Sequence, residues 1–344
     1  MRRFLVFLSL ICLLFFSSCS PSSIETKYKD KNSNYKISDF FTFKGNFKIS
    51  YQSLGNNYSS RTVYIDYIKG NRIQLRIVTP STVTGQVIES DNGELKLLTL
   101  RDEFNYIDDL TSYVNKEPEI LLKEPIKLGN SWTLPNGSKR FISGIDMDVE
   151  TPIGRFKCLE VTTKSKDSTK IDYYALGFGP IKTIYKDNNS ISETVIDKVE
   201  NSSKLIQIIK FYYPDNSSNI IYIKNKEYFK TNDLLKDIIE KNFKSAPFNT
   251  LNLISDDTKI NKLYFNYPEH TVYVDFSKDF LNWLKLNALY EKIILQSIIN
   301  TLGDYFNTDK ICITIEGNTF ISSCFITNNS NIYYVDYKNI KEYK

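Results

Sequence analysis

Polar and apolar residues alternate along most of residues 38–199. The stretches FTFKGNFKISYQ, RTVYIDYI, RIQLRIVT, GQVIES and ELKLLTL place an apolar side chain at about every second position. That is the period of a half-buried strand, whose successive side chains point to opposite faces. Turn residues separate the runs: Gly70-Asn71, then Asn92-Gly93, a pair that favours a two-residue hairpin. KRFISGIDMDVET, FKCLEVTTK, KIDYYALG and IKTIYK keep the rhythm, with turns at Asn136-Gly137, Pro152 to Gly154 and Gly177 to Pro180. The spacing predicts an all-β domain over 38–199, an antiparallel curved sheet or half-barrel. One short helix is expected between Asp108 and Leu122.

The pattern changes after a polar link at 200–204. LIQIIKFYY and NIIYIKN read as strands either side of Pro214-Asp215. Thr231, Asn232 and Asp233 are capping residue types for a helix through LLKDIIEKNF, with Leu234, Leu235, Ile238, Ile239 and Phe243 on one face and Pro247 as the stop. KLYFNY and HTVYVDFS predict a hairpin around Pro268-Glu269. A second helix is expected over Ala288–Phe306, burying Leu289, Ile293, Ile298 and Leu302. ICITIEG and TFISSCFI predict a last hairpin around Gly317-Asn318. Residues 204–344 therefore read as an α+β domain with two helices on one face of a sheet. Each half is long enough for its own core, so a cut near Glu200 is expected to leave two folded pieces.

The first residues do not belong to either domain. Arg2 and Arg3 precede an apolar run from Phe4 to Phe16, shorter than the roughly 20 residues of a membrane-spanning helix. Phe16-Ser17-Ser18-Cys19 follows and resembles the lipobox of bacterial lipoproteins, with Phe16 where leucine is usual. The resemblance implies that residues 1–18 are a signal peptide and that Cys19 is acylated and held at the outer face of the cell membrane. Residues 19–37, polar and charged, read as a flexible tether.

Composition narrows the chemistry. Lys+Arg 44 against Asp+Glu 40 gives +4, spread without a basic block, so no nucleic-acid footprint is present. The only histidine is His270, at the predicted hairpin turn. Gly-x-Ser-x-Gly, Gly-x-x-x-x-Gly-Lys and His-Glu-x-x-His are all missing, so no catalytic, cofactor or metal residue is nominated. Beyond the leader stand Cys158, Cys312 and Cys324, without metal-ligand spacing. If the last hairpin turns around Asn318, Cys312 and Cys324 face each other and are a candidate disulfide.

Two resemblances add to this reading. EPIKLGNSW, DVETPIGRFKCLEV and YYALGFGPIKTIYK, within 119–186, are similar to a β-rich segment of extracytoplasmic bacterial lipoproteins. There Trp132, Phe156 and Tyr174 read as core or groove residues. The second half resembles a GerMN domain, the module of sporulation and spore-germination proteins. The similarity is carried by IKFYYPD, DLLKDIIEKNFKSAP, Val274-Asp275-Phe276-Ser277 with Phe280, Asn300-Thr301-Leu302 and ICITIEGN. It implies a non-enzymatic, compact α+β module like those of ring-building assemblies, docking side by side with its own copies or onto envelope or sporulation proteins. Asp275, Ser277 and Thr301 read as structural, the first two as a helix cap. The competing expectation is a ligand-binding lipoprotein whose curved first sheet holds a lipid, a peptide or a peptidoglycan fragment.

Overall fold

The computed structural model describes residues 34–54, 60–325 and 331–343. The expected signal peptide, Cys19 and most of the expected tether lie outside the described residues. The described chain starts with a short helix, α1 (Ile37–Phe40). Twelve strands follow: β1 (Lys48–Leu54), β2 (Arg61–Lys69), β3 (Arg72–Val78), β4 (Val83–Asp91), β5 (Glu94–Arg101), β6 (Glu119–Lys123), β7 (Ser131–Thr133), β8 (Lys139–Thr151), β9 (Gly154–Lys164), β10 (Ser168–Ala175), β11 (Gly179–Asp187) and β12 (Ile191–Glu200). They form one antiparallel sheet in the order β6-β5-β4-β3-β2-β1-β12-β11-β10-β9-β8-β7. The chain meanders outward to one edge and returns to the first strand from the other side.

That order puts both edges, β6 and β7, next to each other in sequence, and side chains join them. Trp132 Nε1 and Arg140 Nη1 both donate to the Ile120 carbonyl, at 2.9 and 2.8 Å, and Arg140 Nη2 pairs with Glu119 at 2.8 Å. The nearly closed sheet is the curved sheet that the alternation predicts. Its interior is filled: Ile65, Ile73, Ile88, Leu95, Ile142 and Leu159 pack with Trp132 and Tyr174 in one cluster, and Phe156 with Ile181 and Ile196 in another. Residues 35–37 belong to this body and not to a tether. Ile37 and Phe40 are buried, the Ile37 N–H donates to Glu124 at 2.8 Å, and the Tyr35 hydroxyl donates to Asp146 at 2.7 Å.

The second half holds β13 (Leu205–Pro214), β14 (Ile220–Phe229), α2 (Leu235–Phe243), β15 (Ile260–Asn266), β16 (Thr271–Phe276), α3 (Asp279–Leu286), α4 (Glu291–Phe306), β17 (Lys310–Ile315), β18 (Asn318–Thr319), β19 (Ile332–Tyr334) and β20 (Lys341–Glu342). One sheet runs β13-β14-β20 and the other β15-β16-β17-β18, with β19 also on β17. β16 and β17 are parallel, so a crossover must join them, and α3 with α4 supplies it. The α+β architecture is as predicted, with one more helix. Asp279–Leu286 forms α3, and a short 3-10 turn at Ala288–Tyr290 precedes α4. Leu289, expected inside, lies in that turn and is 97% exposed, whereas Ile298 and Leu302 are fully buried.

The expected helix at 108–122 does not form. Asp108 accepts the Asp109 N–H at 3.0 Å, and Asp109 accepts the Thr111 N–H at 2.9 Å. Such local bonds offer the backbone an alternative to the helix. The segment serves instead as a wedge between the halves. Phe104, Tyr106, Ile107 and Leu110 share one buried cluster with Phe211, Phe243, Phe265 and Phe306 of the second half. Tyr106 meets Phe265 and Phe306 with ring centroids 5.2 Å away in each case, and the Tyr305 hydroxyl accepts the Ile107 N–H at 2.8 Å.

Buried polar side chains hold the wedge. Arg76 pairs with Asp66 at 2.8 Å and donates to the carbonyls of Phe104 and Tyr106. Gln74 donates to the Asp108 carbonyl at 2.8 Å and accepts the Leu110 N–H at 2.7 Å. The Phe104 ring lies so close over Gly85 that a Cβ there would stand 2.7 Å from it.

Thr231 and Asn232, expected to cap α2, join the halves instead. The β2–β3 register shifts between Ile65 and Tyr67, a bulge that leaves backbone groups without a strand partner. The Ile65 carbonyl takes the Thr231 hydroxyl at 2.8 Å, the Asp66 carbonyl takes the Asn232 N–H at 2.9 Å, and Asn232 Oδ1 takes the Ile68 N–H at 2.8 Å. Helix α2 starts at Leu235 with no side-chain cap. The two halves therefore have separate sheets but a common core.

Candidate functional site

The residues with chemical potential in the second half are occupied by structural bonds. Asp275 is the penultimate residue of β16, where its Oδ1 accepts the Thr314 hydroxyl at 2.6 Å and the Gly317 N–H at 2.7 Å, and its Oδ2 accepts Asn261 Nδ2 at 3.0 Å. Burial opposes its ionisation, but these donors outweigh it and hold the carboxyl below its ordinary range. Asp275 thus braces the β17–β18 turn against β15 and β16, and caps no helix. Ser277 accepts the Lys259 N–H at 3.0 Å and also provides no side-chain cap for α3. Thr301 donates to the Ser297 carbonyl at 2.9 Å and accepts the Tyr212 N–H at 3.0 Å, the structural role expected of it. His270 is exposed in the β15–β16 turn, with Nδ1 3.0 Å from the Thr308 hydroxyl. Among the described residues no group of His, Cys, Asp and Glu is arranged to hold a metal.

The candidate disulfide is corrected. β17 and β18 pair Thr314 with Thr319 and Ile315 with Asn318, so the turn is Glu316-Gly317, one residue earlier than a turn around Asn318. The strand beyond it is two residues long, and Cys312 sits opposite Ile332 of β19. Cys312 and Cys324 are free thiols, as is Cys158. Asn331 Nδ2 lies 3.0 Å from the Cys312 sulfur. Burial pushes the Cys158 thiol up to about 12 and that of Cys312 up to about 11, so both are protonated and poor nucleophiles at neutral pH.

What remains accessible is surface. An open cleft of about 610 Å³ is lined by Lys292, Gln296, Phe325, Ile332, Tyr334 and Lys338. A smaller one of about 200 Å³ lies beside β13, between Gln207, Lys210, Asp304 and Tyr305. Exposed apolar side chains gather on the second half, with Phe248, Leu286 and Leu289 the most open. The hairpin of β13 and β14 presents Ile206, Ile208 and Tyr228 to solvent among lysines. LIQIIKFYY was legible as a strand, though not which of its faces is exposed. The wedge was not: Asp66, Gln74 and Arg76 sit in strands that otherwise read as ordinary half-buried ones, and only the charges at 66 and 76 within apolar runs hinted at a buried pair. Among the described residues no helix is long and apolar enough to cross a membrane.

With this geometry in place, the comparisons with known proteins can be read. Residues 210–320 match the family model described as Germane, sporulation and spore germination. This stretch runs from within β13 to just past β18 and contains the motifs that resemble a GerMN domain. No curated protein matches the chain. Among solved structures, the first GerMN domain of the sporulation protein GerM from Bacillus subtilis is 18% identical, over 33% of this chain and 86% of its own, with a TM-score of 0.26. A Bacteroides fragilis protein with a YmcC-like fold is 12% identical over 47% of this chain and 99% of its own, with a TM-score of 0.32. A chain from Parabacteroides distasonis described as a lipoprotein is 16% identical, over 47% of this chain and 98% of its own, with a TM-score of 0.28. Superpositions this loose are similarity only.

Proposed function

We propose that the protein is a non-enzymatic lipoprotein, held at the outer face of the cell membrane by acylated Cys19, that acts in sporulation or spore germination by docking through its second half. The observation that carries this reading is the match of residues 210–320 to the sporulation and germination family. The structure is consistent with it. Asp275, Ser277 and Thr301 are spent on packing the fold, and the exposed apolar side chains of the second half offer contact surface. The competing ligand-binding reading loses support, because Ile65, Ile88, Leu95, Ile142 and their neighbours fill the space that a ligand would take inside the curved sheet.

The test is capture of partners from the membrane fraction of sporulating cells carrying the full, acylated chain. Envelope or sporulation proteins, or copies of the chain itself, are expected. Polar substitution of the exposed Leu286 and Leu289 should weaken capture. The same change at the exposed Tyr185 and Ile191 of the first half should not. The opposite dependence would sink the proposal.

A further inference from the structure

The outer face of the β13–β14 hairpin carries chemistry that the docking reading does not use. Strand alternation puts Lys204, Ile206, Ile208 and Lys210 on one face of the first strand and its approach. The register pairs Ile206 with Tyr228, Ile208 with Lys226, Lys210 with Lys224 and Tyr212 with Tyr222, so the same face continues onto the second strand. At one end Tyr337 covers Tyr212, with centroids 5.8 Å apart. The other end is bare: Ile206 is 47%, Ile208 68% and Tyr228 47% exposed.

Charge on this face is one-sided. Lys210 pairs with Asp304 at 2.9 Å and Lys224 with Glu342 at 3.0 Å, both toward the covered end. At the bare end Lys204 and Lys226 flank the Tyr228 ring, 5.8 and 5.7 Å from its centroid, with no carboxylate in ion-pair distance among the described residues. Glu227, between Lys226 and Tyr228 in sequence, turns to the opposite face, where it accepts Asn242 Nδ2 at 3.0 Å. The result is a flat patch with two isoleucines and a tyrosine at its centre and two uncompensated lysines at its rim.

We infer that this patch is a second membrane contact, which lays the β13–β14 hairpin against the anionic headgroups of the bilayer that holds the lipid anchor. Three features favour a bilayer over a protein. Lysines are depleted at protein interfaces but enriched where a surface meets anionic lipid. Lysine stems and tyrosine rings suit the headgroup level, with the apolar body inward and the polar tip in water. A single-point lipid tether also leaves the body close to the bilayer. From Cys19 to Asn34 the chain reaches at most roughly 50 Å even when extended. This last point rests on the anchoring reading; the first two do not.

The experiment uses the mature chain from Ser20, which keeps every described residue and lacks the acylated cysteine, so its outcome is independent of anchoring. Co-sedimentation is measured with phosphatidylcholine vesicles and with vesicles carrying phosphatidylglycerol, at low and high salt. Binding is expected to the anionic vesicles alone and to weaken with salt over a Debye length near 10 Å at 0.1 M. The Lys204→Gln, Lys226→Gln double variant should bind roughly thirty-fold more weakly, from the worth of each lysine near an anionic surface. A control pair on the first half, Lys166→Gln in an exposed turn and Lys186→Gln at the exposed end of β11, should bind as the parent does. The inference fails if the parent ignores anionic vesicles, binds neutral ones equally, or loses as much affinity in the control pair. Acylation itself is judged separately, by labelling at Cys19.

Discussion

The shared core makes a prediction that separates it from the picture of two independent domains. The chain has two tryptophans, Trp132 in the first half and Trp283 in the second. Replacing either by Phe leaves a reporter for one half alone. Trp283→Phe removes an indole N–H that has no partner among the described residues, so it should be mild. Trp132→Phe loses the bond to the Ile120 carbonyl, about 1 kcal/mol. In urea the fluorescence transition of each single-tryptophan protein should coincide with its own far-UV circular-dichroism transition, because the wedge belongs to both halves. Tyr106→Ala then removes the ring that touches Phe265 and Phe306 across the seam. Truncating a buried aromatic costs about 3–5 kcal/mol. Some 1–3 kcal/mol of that lies in the two edge contacts. Against a domain stability of about 5–15 kcal/mol this is enough to uncouple the halves. The two reporters in the Tyr106→Ala background should then show separate transitions, with the Trp283 signal changing first. Separate transitions in the parent, or a loss below about 1 kcal/mol in the variant, would refute the claim that the seam couples the halves.

Other expectations follow from single groups. Burial pushes Asp108 up to about 6, so its ionisation opposes folding: the stability present below pH 4 is lost as pH rises through 6. Asp108→Asn keeps an oxygen for the Asp109 N–H; it should raise stability at pH 7 by up to about 3 kcal/mol and flatten urea stability between pH 4 and 6. Asp275→Ala removes three hydrogen bonds to a buried carboxylate and should cost about 3 kcal/mol in thermal or urea unfolding, with Asp275→Asn milder. Thiol titration of the mature chain from Ser20, denatured without reductant, should count three free thiols; a count of one would restore the Cys312–Cys324 bond. Cys19→Ala should abolish labelling of the full chain by a fatty-acid analogue, and undiminished labelling would remove the anchor from the proposal.

The strands of the first half were legible because the sheet encloses one packed interior, so burial imposes a period of two on nearly every strand. Helices α2 and α4 were legible for the same reason at a period near 3.6. Helix α3 was not, since DFLNWLKL buries only Phe280 and Leu284, too little to write a stripe. The last hairpin was displaced because its turn is set by Gly317, at φ +76, and by the Asp275 brace, neither of which the hydrophobic pattern records.

The seam was missed for a more general reason. Thr231, Asn232 and Asp233 have short oxygen-bearing side chains that suit a helix N-cap, and the same oxygens suit any backbone N–H lacking a partner. In sequence the nearest such groups are the first turn of α2. In space they include the Ile68 N–H, just past the bulge at Asp66 and beyond Tyr64, where the pairing of β1 with β2 ends. The bulge also frees the Asp66 side chain to pair with Arg76, and that pair orients the guanidinium toward the carbonyls of Phe104 and Tyr106. The bulged strand β2 therefore contributes to two of the contacts by which the first half holds the second, alongside the Asn46–Thr231 and Ile107–Tyr305 hydrogen bonds. The polar link at 200–204, although it divides two sheets, is therefore expected not to divide two stabilities. A boundary read from a change of periodicity marks where a sheet ends, and the shared core around Tyr106 shows that folding need not divide there.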